Sequence, residues 1–250
     1  MTGGNRGWTP RGQKTALLVA KQIVEDIARR GNIVGDKLPP EHRMLEEYGV
    51  GRGTLRESLR YLELQGALAF KPGPGGGPIV QQPDAGALAT SLSLLLQFDN
   101  APFSTIMEAR AAMEPSIARL AALRISPEAL EELRANVEAL RAHSRDAATF
   151  TAESERFHAL IAWGSGNAMF GYLFEAMVGI LAGATMGVEY PQRQRAHTCS
   201  IHEDIYRAIA DGDGDAAADL MSQHITDHTT YLEKRFRSAL EQPIRWDLGG

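Results

Sequence analysis

Residues 51–62 of the chain read Gly51-Arg52-Gly53-Thr54-Leu55-Arg56-Glu57-Ser58-Leu59-Arg60-Tyr61-Leu62. In this stretch three arginines recur every four residues, and three leucines recur at helical spacing about a quarter turn away. The pattern predicts a short helix that packs through its leucines and presents guanidinium groups on another side. Taken alone, three such arginines are also typical of a solvated helix face.

The segments on both sides of this helix predict the elements of a known supersecondary motif. Upstream, Leu38-Pro39-Pro40-Glu41 opens an earlier helix, and Gly49-Val50-Gly51 predicts the tight turn between the two helices. Downstream, Gly66 ends the second helix, residues 67–71 predict a short strand, and the Pro- and Gly-rich residues 72–78 predict a hairpin tip. Helix, turn, helix and glycine-tipped hairpin together predict a winged helix-turn-helix.

This segment resembles the DNA-binding domain of the GntR-type transcriptional regulators over about residues 13–81. The resemblance is carried by four pieces, namely residues 35–41 (Gly-Asp-Lys-Leu-Pro-Pro-Glu), 50–59, 62–66 and the glycine tip 75–77. It implies that the helix at residues 52–62 reads duplex DNA. Arginine suits this work because its planar fork can bind a guanine edge or a phosphate through two parallel hydrogen bonds.

The resemblance also implies a set of DNA contacts. We expect Arg52 and Arg56 near base edges, Thr54 and the backbone of Gly75 or Gly76 near phosphate or the minor groove, and Arg60 at the periphery.

Two features of this chain depart from the family pattern. The family usually has arginine directly after its Pro-x-Glu, where this chain has His42 followed by Arg43, so either side chain is a candidate for contact with DNA. Gly51 and Gly53 replace hydroxylated residues, which removes a helix cap and two donors to phosphate. We therefore expect an operator preference different from that of relatives.

The distribution of charge agrees with a DNA-binding head. The chain of 250 residues has a net charge of −5, yet residues 1–80 contain 12 basic and 8 acidic residues, whereas residues 81–250 contain 14 and 23. A basic head on an acidic body is typical of a protein that approaches DNA with one end. This modest excess supports the motif without replacing it.

Composition excludes several other classes of protein. A single cysteine, Cys199, rules out a disulfide framework and a zinc site built from thiolates. Residues 1–12 are polar and rich in glycine, so they predict a disordered arm and no secretory leader. The longest uncharged run, residues 157–174, is interrupted by Gly164-Ser165-Gly166-Asn167 and is no membrane span. We expect a cytoplasmic protein.

Residues beyond Val80 show helical periodicity and no strand pattern, which makes the fold class mainly α, with an all-α bundle of six or seven helices behind the head. The expected organisation is a disordered arm at 1–12, a winged helix-turn-helix at 13–81, a connector helix within 82–100, an all-α effector-binding domain at 101–238 and a tail at 239–250. Within the bundle the later helices are predicted over about 147–162, 169–188, 197–211 and 215–237, with a polar turn at 189–195.

The helical body resembles the FCD ligand-binding domain of the FadR subgroup of the same family. The matching pieces are Glu108-Ala109-Arg110 with Glu114-Pro115, Phe157 to Ile161, Ser165-Gly166-Asn167, His202 with Ile205, Ala208 and Ile209, and Met221 with His224. The resemblance implies a pocket for a small carboxylate effector. It places Arg110 at the cavity; the alternative is an intrahelical ion pair between Arg110 and Glu114.

The same resemblance implies a divalent metal, zinc or nickel, held by His158, His202 and His224. Any one of these histidines taken singly is more typical of a hydrogen-bonded structural residue. Metal-binding relatives carry aspartate four residues before the first histidine, where this chain has Ser154. Glu153 and Glu155 flank it but point to either side. The sequence therefore leaves a metal-free pocket open as an alternative.

The function predicted from the sequence is a ligand-responsive transcriptional repressor that binds a double-stranded DNA operator. We expect a homodimer on an approximately palindromic site, because one head covers too little duplex for high specificity. A metal-dependent hydrolase with an accessory head is the competing class. No short motif such as His-Glu-x-x-His supports it, so we expect no enzymatic activity.

Overall fold

The computed structural model describes residues 11–73, 75–182 and 190–246. The chain divides into two compact units, with the boundary between Ala87 and Leu88. The mainly α fold class predicted from the sequence is confirmed, with one two-stranded hairpin among the described residues.

The first unit is a three-helix head followed by a hairpin. Its elements are α1 (Arg11–Arg30), α2 (Glu41–Tyr48), α3 (Arg52–Leu64), β1 (Leu68–Lys71) and β2 (Gly77–Val80). The two strands are antiparallel, and Leu68 pairs with Val80 at the open end. This order is that of a winged helix-turn-helix, as predicted.

The core of the head consists of apolar side chains that recur at helical spacing on each helix. They are Val19, Ala20 and Ile23 of α1, Met44 of α2, Leu55, Leu59 and Leu62 of α3, and Leu68 and Val80 of the strands. Ser58 is buried among them, and its hydroxyl donates to the carbonyl oxygens of Ala16 and Thr54, both at 2.8 Å. The leucine face of α3 is therefore committed to packing.

The segment before α2 also takes part in the wing. Lys37 forms an isolated antiparallel bridge with Ile79, and the amides of Gly35 and Leu38 donate to the carbonyls of Val80 and Pro78 at 2.9 Å. This pairing was not predicted, because the sequence there shows only turn residues. It ties the wing to the entrance of the helix-turn-helix.

The second unit is helical throughout its described part, beginning within α4. Its elements are α4 (Gly86–Phe98), α5 (Ser104–Arg124), α6 (Pro127–Ala142), α7 (Ala147–Gly164), α8 (Ala168–Ala182), α9 (Gln192–Ala210), α10 (Gly214–Arg235) and the short α11 (Arg237–Leu240). Local signals set several starts: the side chains of Ser126, Asp146 and Asp213 each accept an amide of the first turn of α6, α7 and α10.

The core of the bundle is formed by α5, which packs against α7, α9 and α10, with α8 and part of α4 against its margin. Large fully buried side chains such as Phe157, Phe174, Ile205 and Met221 come from four different helices. They surround the polar cluster described below.

Some predicted boundaries are wrong. The polar turn expected at 189–195 is helical from Gln192 onward, because Pro191 precedes the helix as a cap and starts α9 five residues early. The arm expected over 1–12 includes Arg11 and Gly12, which belong to α1, while residues 1–10 lie outside the described residues. Residues 183–188, the last part of the helix predicted over 169–188, also lie outside the described residues.

The tail expected at 239–250 is packed over its described part. Ile244 is fully buried, and its amide donates to the carbonyl of Ala101 at 2.9 Å. The amide of Phe103 donates to the carbonyl of Gln242 at 3.1 Å, and the amide of Trp246 donates to Oε1 of Gln97 at 2.6 Å. The sequence did not reveal this because the segment is too short for periodicity.

Within the described residues no helix has both the length and the apolar character that crossing a bilayer requires.

We predict that Ile244→Ala lowers the free energy of unfolding of the helical unit by about 2–4 kcal/mol, the usual loss for truncating a fully buried isoleucine. Urea denaturation of the whole chain, followed by far-UV circular dichroism, measures this change. Leu95→Ala is the control, since Leu95 is 63% exposed and should change stability by less than about 0.5 kcal/mol. Equal effects of the two substitutions would contradict a packed C-terminal segment.

Candidate nucleic-acid interface and metal centre

The arginine face of α3 lies outside the core of the head. Arg52, Arg56 and Arg60 are exposed, while Leu55 and Leu59 are buried. Gly51 is the N-cap in extended conformation, with no side-chain hydrogen bond to the first turn. The structure thus confirms the prediction that α3 has no side-chain cap. The amides of its first turn therefore remain able to bind an anion.

Arg56 is paired within the head. Its Nε and Nη2 donate to Oε1 and Oε2 of Glu41 at 3.2 and 3.4 Å, and its side chain is 70% exposed. An exposed pair of this kind contributes little to stability. It does hold the guanidinium fork of α3 against the start of α2, so contact with DNA would require Arg56 to exchange or share this partner.

The other predicted DNA-contacting residues are exposed or half-buried. His42 and Arg43 are both exposed on the first turn of α2, so the structure leaves both able to reach a duplex. Thr54 is half-buried on α3. At the wing, Gly75 is exposed and Gly76 is half-buried.

The wing tip is held by a contact that the sequence analysis missed. Nζ of Lys37 donates to the carbonyl of Gly75 at 2.9 Å. A Cβ atom at Gly76 would lie 2.1 Å from the carbonyl oxygen of Lys71, so only glycine fits there. Close backbone approach therefore requires glycine at position 76, whereas Gly75 has a positive φ, which glycine adopts readily.

In the helical unit, the structure brings the three predicted metal-binding histidines together. His158 lies on α7, His202 on α9 and His224 on α10, and all three are buried. Nε2 of His224 lies 3.1 Å from Nε2 of His202 and 3.3 Å from Nε2 of His158. Nitrogen atoms from three helices, distant in sequence, thus converge on one point.

The rings are held by packing and by one carboxylate. The His202 ring stacks on Phe157 with centroids 3.9 Å apart and an interplanar angle of 12°. Nδ1 of His158 donates to Oε2 of Glu114 at 2.5 Å, and Nε of Arg110 donates to Oε1 of the same carboxylate at 2.5 Å. The ion pair between Arg110 and Glu114, one of the two roles considered for this arginine, is therefore formed and buried.

These contacts decide the protonation of the cluster. Burial by itself would raise the pKa of Glu114, but the charges of Arg110 and His158 and their hydrogen bonds hold that pKa well below its usual range. An ionised carboxylate only accepts hydrogen bonds, so Nδ1 of His158 donates to it, and Nε2 is the ring nitrogen that faces His224. Glu114 is thus the residue that orients His158.

The remaining imidazoles are kept neutral. Burial lowers the pKa of His202 and of His224 well below 6.5, and the neighbouring histidines lower both further. Burial, with the charge of Arg110, lowers the pKa of His228 to about 3, and Nε2 of His228 lies 2.8 Å from the hydroxyl of Tyr190. Neutral imidazole is the form that binds a metal ion.

The donor set fits a divalent metal ion. With metal–nitrogen bonds of about 2.1 Å, neighbouring ligand atoms lie about 3.0 Å apart in an octahedral site and about 3.4 Å apart in a tetrahedral one. The observed separations of 3.1 and 3.3 Å fall in this range. Hydrogen bonding alone explains them less well, because Nε2 of His224 faces two other nitrogens and has a single in-plane proton or lone pair.

The position that the family pattern assigns to a carboxylate remains without one. Among the described residues, no aspartate or glutamate joins the three histidines as a potential ligand. Glu153, one of the two neighbours of Ser154, accepts a hydrogen bond from Nδ2 of Asn136 at 2.6 Å and is therefore turned toward α6. Glu155, the other neighbour, lines a cleft together with Thr151, Tyr190 and Arg195. Neither replaces the missing aspartate in this structure.

Some functional features had no usable sequence signal. The pairing of Glu114 with His158, the stacking of Phe157 on His202 and the contact of Tyr190 with His228 all join residues far apart in the chain. His228 is half-buried, and its ring stacks beside that of His224 with centroids 6.5 Å apart.

We predict that replacing Arg52 and Arg56 together with alanine weakens operator binding at least about 30-fold, since each base contact contributes about 1–3 kcal/mol. Fluorescence anisotropy with a labelled duplex from the DNA upstream of the gene measures the affinity. Arg60→Ala is the matched control on the same helix and should cost less than about 10-fold. If the folded double variant binds as tightly as the parent, α3 is not the reading helix.

We predict that, with metal removed by a chelator, the free energy of unfolding decreases as the pH falls below about 6.5. The unfolded chain then binds protons at His202, His224 and His228 that the folded chain excludes, which gives a slope of about 1.4 kcal/mol per pH unit for each histidine. The lowered pKa of Glu114 adds a further loss only below about pH 4.5.

Urea denaturation between pH 5 and pH 8 measures this slope. His197→Ala, which removes an exposed histidine, should leave it unchanged. Equal stability at pH 5 and pH 7 would mean that the three imidazoles are not held neutral.

Comparison with known families agrees with both units. Residues 15–76 match the family described as "Bacterial regulatory proteins, gntR family", and residues 105–227 match the family described as "FCD domain". The two matches cover the head and most of the helical bundle, including all three clustered histidines.

Individual proteins give the same result. The chain is 32% identical over 90% of its length to "Uncharacterized HTH-type transcriptional regulator YcbG" of Bacillus subtilis, covering 92% of that protein. It is 31% identical over 87% of its length to "Putative L-lactate dehydrogenase operon regulatory protein" of Escherichia coli K12, covering 86% of that protein. The solved structure of Streptococcus agalactiae GntR superposes on 86% of this chain and 99% of its own with a TM-score of 0.65 and 25% identity.

The winged head, the helical bundle that follows it in the chain and these similarities show that the chain belongs to the GntR family of bacterial regulatory proteins and is a DNA-binding transcription regulator with an FCD domain, not an enzyme.

Proposed function

We propose that this regulator is a homodimeric repressor whose helical unit senses a small carboxylate through a metal ion held by His158, His202 and His224. The observation that carries the proposal is the convergence of three buried imidazoles from α7, α9 and α10, with Nε2 of His224 lying 3.1 Å from that of His202 and 3.3 Å from that of His158. Burying three polar rings costs folding stability unless a bound group compensates for it, and this cost favours a binding role for the cluster.

The residues around the cluster have separate tasks in this proposal. The three histidines hold zinc or nickel, and the metal, when bound, supplies a Lewis-acidic centre that attracts a carboxylate. Glu114 orients His158 and keeps its Nε2 directed at the cluster. Phe157 fixes the plane of His202 by stacking.

Arg110 supplies the positive charge that favours an anionic effector. Its side chain is buried, its Nε is used by Glu114, and its guanidinium carbon lies 5.5 Å from the centre of the Phe174 ring. In a buried site a guanidinium acts on nearby anions more strongly than at the surface. One relative is named for an L-lactate dehydrogenase operon, which agrees with a small carboxylate as the class of effector.

The DNA-binding part of the proposal assigns base contacts to Arg52 and Arg56, and supporting contacts to His42, Arg43, Thr54, Gly75 and Gly76. Two heads in a two-fold dimer would match an approximately palindromic operator. Effector binding changes DNA affinity to the extent that the effector binds the DNA-competent and DNA-incompetent states of the dimer with different affinities.

A metal-free effector pocket is the second candidate. It is favoured by the absence of a carboxylate among the potential ligands within the described residues. A cleft of about 450 Å³ beside α7 offers a place for an organic molecule and is lined by Phe150, Thr151, Glu155, Tyr190, Arg195 and three alanines. In this version the histidines form a polar wall of the bundle interior.

We predict that the purified protein contains about one zinc or nickel ion per chain and that His202→Ala loses it, because two imidazoles hold a divalent ion much more weakly than three. Elemental analysis measures the content, and His197→Ala is the matched control outside the cluster. Absence of metal in the parent, even after incubation with excess zinc or nickel, would favour the metal-free pocket.

The test of the regulatory function is a gel shift with the DNA upstream of the gene, in the presence and absence of small carboxylic acids. We expect specific binding to that DNA and its release by at least one acid, together with derepression of a reporter in cells. Reporter activity that falls when the gene is deleted would make the protein an activator.

A further inference from the structure

Glu41 is an acidic residue among the side chains that are expected to meet an anion. It is the first residue of α2 and directly precedes His42 and Arg43, both of which are candidates for contact with DNA. Its carboxylate accepts two hydrogen bonds from Arg56 of α3. A carboxylate beside the phosphates of a duplex weakens binding through like-charge repulsion. A residue whose task was only to attract DNA would not be acidic at this place.

The geometry of this pair leaves one edge of the Arg56 guanidinium open. A guanidinium has five N–H donors, and Glu41 takes one from Nε and one from Nη2, at 3.2 and 3.4 Å. The donors on Nη1 and Nη2 that point away along the side chain form a second edge. This edge can make two parallel hydrogen bonds to O6 and N7 of a guanine. Arg56 can therefore keep Glu41 as its partner and still read a base.

An arginine without such a partner would have two kinds of target on a duplex. Its side chain can turn toward a phosphate, which is present in every sequence, or toward a guanine edge, which is present only at particular positions. The carboxylate of Glu41 restricts the rotation of the guanidinium and repels the phosphates that compete for it. Both effects weaken sequence-independent binding more than they weaken the reading of a guanine.

The exposure of the pair separates a role in recognition from a role in folding. The side chains of Arg56 and Glu41 are 70% and 40% exposed. An ion pair this exposed contributes little to stability, so its loss should leave the head folded. Glutamine at position 41 keeps the shape of the side chain and removes only its charge.

We propose that Glu41 is a positioning residue for operator recognition. It holds Arg56 in the orientation that reads a guanine, and it lowers the affinity of the head for DNA of unrelated sequence. This inference rests on the base contact proposed for Arg56 and adds to it that discrimination by this arginine depends on an acidic partner from α2.

The experiment compares the binding of the full chain to two labelled duplexes by fluorescence anisotropy. One duplex comes from the DNA upstream of the gene, and the other has the same length and base composition in scrambled order. We expect Glu41→Gln to bind the scrambled duplex at least about 3-fold more tightly, because a charge that repels phosphate is lost. Operator affinity should fall, so that the ratio of the two affinities drops at least about 10-fold. A purely structural role of Glu41 would instead lower both affinities together.

Glu46→Gln is the matched control. Glu46 is an exposed acid on the same helix, and the substitution makes the same change in charge. It lies about 140° around the helix from Glu41, so it belongs to another face of α2. It should change the ratio of operator to scrambled affinity by less than about 2-fold, which is the range expected for a surface charge outside the contact. A drop in this ratio as large as that of Glu41→Gln would mean that net charge alone is responsible, and would overturn the inference.

Arg56→Ala and the double variant Glu41→Gln/Arg56→Ala separate the inference from the base contact on which it rests. If Glu41 acts through Arg56, the double variant should match Arg56→Ala in its affinity ratio within about 2-fold. An unchanged ratio in Glu41→Gln, together with lost operator affinity in Arg56→Ala, overturns the inference and leaves the base contact intact. Operator affinity of Arg56→Ala equal to that of the parent overturns both.

Discussion

The buried ion pair between Arg110 and Glu114 determines the chemistry of the helical unit. It keeps a carboxylate ionised in the middle of a bundle, where burial alone would favour its protonated form. The ionised carboxylate then accepts a hydrogen bond from Nδ1 of His158 and so turns the opposite nitrogen, Nε2, toward His224. Without this pair, His158 would lose the partner that sets the orientation of its ring.

The head depends on a simpler constraint, which is that one face of the short helix α3 must be buried for the head to have a core. The leucine side of α3 is used completely by the core of the head, so the arginines can only face outward. The contact of Arg56 with Glu41 holds the guanidinium against the start of α2, and that of Lys37 with Gly75 holds the ammonium group at the wing. A small domain thereby presents a shaped basic surface although its net charge is modest.

The two units differ in how much of them could be predicted. The winged head follows from local signals, because helix spacing, a glycine turn and a glycine-tipped hairpin all act over a few residues. Its predicted elements are found, while the added pairing of Lys37 with Ile79 was missed because a single bridge has no periodicity. In the bundle the helical character was predicted, but the start of α9 and the packed segment around Ile244 were not. Both depend on contacts with distant parts of the chain.

By itself the sequence determined that the chain is mainly α, that a winged helix-turn-helix comes first, and that histidines and an arginine occur where an FCD-type domain would place its site. The tertiary structure alone decided that His158, His202 and His224 meet, that both oxygens of Glu114 are used, and that Glu153 turns away toward Asn136. The reason is physical. Helix and turn formation depend on neighbours in the chain, whereas ligand convergence and the protonation of buried groups depend on which distant helices pack together and exclude water.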